Sequence, residues 1–250
     1  MRRRDSLPVL LLNPRPTAEA SRLPEGAAKA QAVRAMFDTI APRYDLVNRI
    51  MTFGLDRRWR RTAVASLHLE PRSRVLDVAC GTGDLCRDLL AAGYQPVGVD
   101  MSMGMLSHSR VDVAMIQTDA LELPLSPTSF DGAVSGFALR NFVALGPVFA
   151  ELGRVIRPGG RVALLDVSAP SNPILRAGHS AYFGHVVPRI GAAFSDRDAY
   201  RYLPKSVAYL PSGDQMLDQL RQAGFESVDR RLLSGGVTQL ITGTRSGAVP

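Results

Sequence analysis

The rhythm of apolar and polar positions changes near residue 73. Before it the spacing is helical. In "AAKAQAVRAMFDTIAPRYDLVNRI", Val33, Met36, Phe37 and Ile40 recur every three or four residues. That spacing predicts one buried helical stripe, broken at Pro42 and resumed beyond it. "LDRRWRRTAVASL" predicts a further helix carrying Trp59, the only tryptophan. After residue 73, "SRVLDVAC", "QPVGVD", "AMIQTD", "SFDGAVSGFA" and "GRVALLDVS" are short apolar runs that read as buried strands. Helical spacing returns between them in "DLCRDLLAAG", "SMGMLSHSR" and "ALGPVFAELGRVI".

Strands alternating with helices predict an α/β fold, a doubly wound and mostly parallel sheet with helices on both faces. Right-handed crossovers bring the C-terminal strand ends to one edge, where such sheets bind ligands. Asp84, Asp100, Asp119 and the segment 136–141 are expected near it. Beyond Ser168 the alternation fails, and a long proline-punctuated stretch predicts a mostly helical insertion over that edge. A helix ending near Gly224 follows. "SVDRRLLSGGVTQLITGTR" then reads as an antiparallel hairpin turning at Gly235 and Gly236. Residues 1–25 read as a disordered basic tail and 26–250 as a single domain. The helices of 26–70 and the insertion 169–212 are expected to cover its site.

Composition alters this picture little. With 46% hydrophobic and 21% charged residues the chain can bury an ordinary core. A net charge of +7 suits an anionic surface or an acidic substrate. The basic residues are scattered without interleaved aromatics, which argues against nucleic acid. No uninterrupted apolar segment is long enough to span a bilayer. Cys80 and Cys86 cannot build a disulfide framework, and no Cys/His spacing predicts a metal site. A cytoplasmic protein is expected, in peripheral contact with the membrane at most.

The candidate chemistry begins at "VLDVACGTGDLC". Two glycines, Gly81 and Gly83, follow a strand and precede a helix, so backbone N–H groups can approach a ligand closely. Cys86 stands where a dinucleotide motif needs its third glycine, and no Lys-Ser/Thr pair makes a P-loop. About twenty residues on, "VGVD" ends in Asp100, a spacing that suits an acid gripping a ribose diol. With Asp84 and Asp119 close by, pyrophosphate would be repelled and a cationic nucleoside accepted. S-adenosylmethionine is the cofactor expected.

At these residues the chain resembles a family. "YDLVNRIMTFGLDRRW", "VLDVACGTGD", "FALRNF" and "RVIRPGGRVALLDVS" resemble signatures of the ubiquinone/menaquinone C-methyltransferases, the UbiE-like family of class I methyltransferases. "HVVPRIGAAFSDRDAYRYLPKSV" and "AGFESV" resemble it too, so the likeness runs from about 33 to 245. It implies S-adenosylmethionine-dependent methylation of a ring carbon of a prenylated quinol. Demethylmenaquinol stands slightly ahead of the ubiquinone precursor. Another aromatic or lipid acceptor, or a non-catalytic cofactor-binding subunit, is the alternative.

The resemblance places Gly81, Thr82 and Gly83 against the methionine end, Asp100 on the ribose, and Asp119 with Ala120 beside the adenine. Asp77, Met101 and Gly136 complete the expected cofactor set. The family's "FGLRN" loop corresponds to residues 137–141, which puts the catalytic group on Arg140 with Tyr44 and Asn141 nearby. A guanidinium suits a phenolate but is a poor base, so a water or Tyr44 would carry the proton. Gly136, Ala138 and Asp166 depart from the family's usual Ser, Gly and Glu, and Gln239, Leu240 and Ile241 stand where the family usually carries "ALH", without the His. "LVNRIMTF" (46–53) and "AYFGHVVPRI" (181–190) are candidates to line a channel for the prenyl tail. The expected partner is a lipophilic quinol; a homodimer is left open.

Overall fold

The fold follows the change of rhythm in the sequence. In the computed structural model, residues 25–187, 189 and 206–247 are described. The tail expected over 1–25 lies outside them except for Glu25, as does the stretch 190–205 of the insertion. Three helices come first: α1 (Gly26–Ile40), α2 (Tyr44–Met51) and α3 (Leu55–Ala65). Pro42 sits in a 3₁₀ turn between α1 and α2, since it can neither donate to nor fit within a helix interior. Gly54, at φ +74°, turns the chain between α2 and α3.

The alternating half then runs β1 (Arg74–Val78), α4 (Asp84–Ala91), β2 (Gln95–Asp100), α5 (Met103–Ser107), β3 (Ala114–Gln117) and β4 (Phe130–Gly136). It continues through α6 (Leu145–Val155), β5 (Ile156–Val167) and α7 (Pro173–Ala181). The chain closes with α8 (Gly213–Gln222), β6 (Phe225–Leu233) and β7 (Thr238–Arg245). The sheet order is β3-β2-β1-β4-β5-β7-β6. The first five strands are parallel, and β7 pairs antiparallel with both β5 and β6. This is the doubly wound sheet with a terminal antiparallel hairpin that the sequence predicts.

Successive residues of a strand face opposite layers. Val75 joins Trp59, Leu67 and Leu89 under α3 and α4, while Leu76 joins Phe149, Leu152 and Leu220 under α6 and α8. A third cluster, with Ile40, Val47 and Met51, packs the first helices onto Met105 of α5. The carboxyl ends of β1, β2 and β4 therefore meet at one edge beneath α1 and α2. No helix among the described residues is long and apolar enough to cross a membrane.

Candidate active site

The loop after β1 is built from left-handed backbone. Ala79, Gly81 and Gly83 have φ of +58°, +56° and +86°. At Gly83 an added Cβ would lie 2.7 Å from the Met115 Cε, so glycine serves both conformation and space. A Cβ added at Gly81 would meet nothing within 4 Å among the described residues, which leaves that side of the loop open to a ligand. Asp100 ends β2 and ties the loop down. Its Oδ2 accepts from the Gly81 N–H at 2.8 Å and its Oδ1 from the Ser102 N–H at 2.8 Å. Burial raises the Asp100 carboxyl, and these two N–H groups oppose that rise. Ser102, not Asp100, caps α5, accepting from the Met105 N–H.

Two further clips fix the loop from the N-terminal helices. Thr82 Oγ1 donates to Asp45 of α2 at 2.6 Å. Arg60 of α3, almost fully buried, holds Asp84 at 3.0 Å and Asp88 at 2.8 Å. Arg87 takes the other oxygen of Asp84. The Asp84 charge is thus spent on two arginines, and the acids left near the cleft are Asp77, Asp100 and Asp119.

Of the expected residues, Tyr44, Gly81, Asp100, Met101, Asp119, Ala120, Gly136 and Asn141 line one cleft. Asp77, Thr82, Gly83 and Arg140 stand behind its wall. Asp77 is fully buried beneath the loop. Its Oδ2 accepts from the Cys86 thiol at 3.3 Å, while its Oδ1 has no partner among the described residues. Burial pushes its carboxyl up to about 7. Burial likewise pushes both cysteine thiols up, which makes them unreactive.

Arg140 is tied down through its Nη1, its Nε and its backbone N–H. Its Nη1 donates to Asp166 and to the Phe137 carbonyl at 2.8 Å, and its Nε to Ser206 Oγ at 3.1 Å. Its backbone N–H adds a bond to the Asp166 Oδ2 at 3.1 Å. Asp166 is wholly buried on β5, so the pair straps the 137–141 loop to the sheet. The strap brings Asn141 to the cleft with its Oδ1 buried and unpartnered among the described residues. Opposite stands Tyr44, whose hydroxyl burial raises, against the pull of an Asn48 hydrogen bond and the Arg140 charge. It remains a neutral phenol and therefore a donor.

Two of the departing positions are structurally satisfied. Asp166 reaches Arg140 despite its missing methylene. Gln239 accepts from Arg230 at 2.6 Å and donates to the Val167 carbonyl at 3.0 Å. At Gly136 a Cβ would fall 2.8 Å from a Leu85 methyl, so a serine there requires that side chain to move.

Val33 and Phe37 of α1 also line the cleft. Sequence periodicity marks them as a buried stripe without saying what they bury. Lys29, one turn earlier, is 3% exposed. Its Nζ donates to the Phe142 carbonyl at 2.6 Å and lies 3.7 Å over the Tyr209 ring. Burial lowers its pKa to about 8 from an ordinary 10.5. Between those values the unfolded chain binds more protons than the folded one, so folded stability rises with pH. The wild-type protein should therefore gain stability relative to Lys29→Met between pH 8 and 10 in urea unfolding. A gap that stays constant with pH means that no charged lysine is buried there.

A seven-stranded sheet in this order, with a glycine loop after β1 and an acid at the end of β2, defines the class I methyltransferase fold. A SAM-dependent methyltransferase from Thermotoga maritima shares it at a TM-score of 0.56 and 20% identity, over 86% of this chain and 100% of that one. Within that class, the chain belongs to the ubiE/COQ5 methyltransferase family, whose model matches residues 26–245. It is 42% identical to the ubiquinone/menaquinone biosynthesis C-methyltransferase UbiE of Syntrophotalea carbinolica, covering 86% of this chain and 95% of that protein. It is 39% identical to the demethylmenaquinone methyltransferase of Roseiflexus sp. strain RS-1, with 90% and 98% covered.

Proposed function

We propose that this enzyme methylates a ring carbon of a prenylated quinol in quinone biosynthesis, with S-adenosylmethionine as the methyl donor. The observation that carries the reading is one cleft holding the Gly81–Asp100 pair together with Tyr44 and Asn141. The residues present fit the cofactor. Open space over Gly81, carboxylates at Asp100 and Asp119, and apolar walls from Val33, Phe37 and Met105 suit a cationic nucleoside. When bound, S-adenosylmethionine supplies a methyl group on a positively charged sulfur.

The protein's own part is to align, to exclude water and to steady charge. Tyr44, kept neutral by burial, donates to the quinol oxygen as the ring becomes electron-rich. Asn141 offers its unpaired Oδ1 as an acceptor at the same wall. Arg140 acts through the loop that it fastens. Demethylmenaquinol is the favoured acceptor, in keeping with the names of the relatives. A lipid-borne substrate brings the enzyme to a membrane surface.

Labelled S-adenosylmethionine offered with reduced prenyl quinones in detergent tests this directly. A ring-methylated quinol by mass is expected; cofactor binding without transfer to any quinol sinks the substrate. Tyr44→Phe should lower kcat by roughly a hundredfold while cofactor affinity holds, as loss of one oxyanion donor does elsewhere. Unchanged kcat removes Tyr44 from the reaction.

A further inference from the structure

The turn between α2 and α3 does something unusual. Phe53 carries left-handed backbone, φ +52°, and leaves its side chain 78% exposed. A bulky aromatic is poorly suited to that conformation and to water. Beside it opens a groove lined by Gly54, Arg57, Arg58, Arg61, His68 and Arg231, with no carboxylate on its wall among the described residues. The three arginines of α3 occupy its outer face, turned away from buried Trp59 and Arg60. None of the groove's four arginines takes part in an ion pair among the described residues.

α7 adjoins the Phe53 turn. It buries no residue, and Ile174 is 80% exposed. Its first turn packs Leu175 over Gly235 in the β6–β7 turn, and Ser234 of that turn accepts the Trp59 Nε1–H at 2.8 Å. At its far end Tyr182 stacks on Phe53, centroids 5.6 Å apart, and donates to the Met51 carbonyl. Exposed apolar side chains beside a cationic groove complement a surface with negative headgroups above hydrocarbon.

We propose that this face, with Phe53 at its tip and Arg57, Arg58, Arg61 and Arg231 around it, docks the enzyme on an anionic lipid bilayer. The inference rests on the lipid-borne substrate only for its purpose, not for its geometry. α2 runs from Tyr44 in the cleft wall to the docking turn, eight residues or about 12 Å. A docked enzyme therefore holds its cleft within roughly a helix length of the headgroups.

Sedimentation with phosphatidylglycerol and with phosphatidylcholine vesicles tests it. The wild-type chain should bind the anionic vesicles preferentially and weaken as salt rises. Arg57→Glu with Arg61→Glu should reduce that partition at least about 25-fold, from about fivefold for each arginine lost. The same variant should methylate a short-chain, water-soluble quinol as the wild type does. Phe53→Gly relieves the left-handed backbone, so it should fold at least as well yet bind the vesicles more weakly. Equal binding to both lipids, wild-type binding by the double variant, or preference for a polyanion such as RNA over vesicles overturns the proposal. Vesicle binding without methylation of the soluble quinol instead sinks the substrate reading and leaves the docking face standing.

Discussion

Arg140→Ala should cost about 3–5 kcal/mol of folding stability, because it strands the Asp166 carboxylate in a wholly buried site. Asp166 receives the Arg140 side chain, the Arg140 backbone N–H and, at 2.7 Å, the Val167 N–H. Removing both charges should be milder than removing one. Arg140→Met combined with Asp166→Asn keeps an acceptor for the backbone and should recover at least about half of the loss. Turnover is expected to fall and recover with stability, because the guanidinium positions the 137–141 loop instead of lining the cleft. Thermal unfolding beside turnover decides the matter. Arg140→Ala with a native midpoint and no methyl transfer makes Arg140 a group that touches the acceptor.

The role of Arg140 shows where sequence reasoning stops. A lone arginine in "FALRNF" is equally an oxyanion partner or one half of an ion pair. Its partner lies 26 residues away, brought near only because β4 pairs with β5 and sets Gly136 opposite Leu165. The strands themselves were legible, because buried parallel strands are short apolar runs; "QPVGVD" is β2 to the residue. The start of β5 was not. "ALGPVFAELGRVI" reads as a helix through Ile156 and "GRVALLDVS" as a strand from Gly160, yet Ile156 already pairs with Phe130 and the register shifts before Gly132. Gly160 permits that irregularity, since an added Cβ would meet the Asp131 carbonyl at 2.6 Å. Asp84 misled for a related reason. An acid beside a glycine loop looks like part of a ligand site, whereas Arg60, 24 positions earlier in the chain, binds it from α3. Contacts within one strand–turn–helix unit can be read from spacing; contacts made by a covering helix cannot.

Asp100→Ala is the change expected to end cofactor binding, with affinity falling at least about a hundredfold. Asp100 has two duties at one atom pair. It accepts from the Gly81 and Ser102 N–H groups, which shapes the loop, and it faces the cleft as a carboxylate. Charged hydrogen bonds contribute about 1.5–3 kcal/mol each, so losing the proposed ribose contact together with the loop's anchor gives this magnitude. Asp100→Asn separates the duties only in part. Its amide offers an acceptor to one N–H and a donor to the other, so the loop is still disturbed. Burial holds the Asp100 carboxyl above its ordinary value, so affinity should strengthen as pH rises and the group ionises. The alanine variant should lose that pH dependence. Calorimetric titration of S-adenosylmethionine into each variant, with unfolding midpoints in parallel, reads both effects. A folded Asp100→Ala protein that binds within threefold of the wild type means that the acid serves the loop alone, and that the nucleoside is held by Asp119 and the apolar wall.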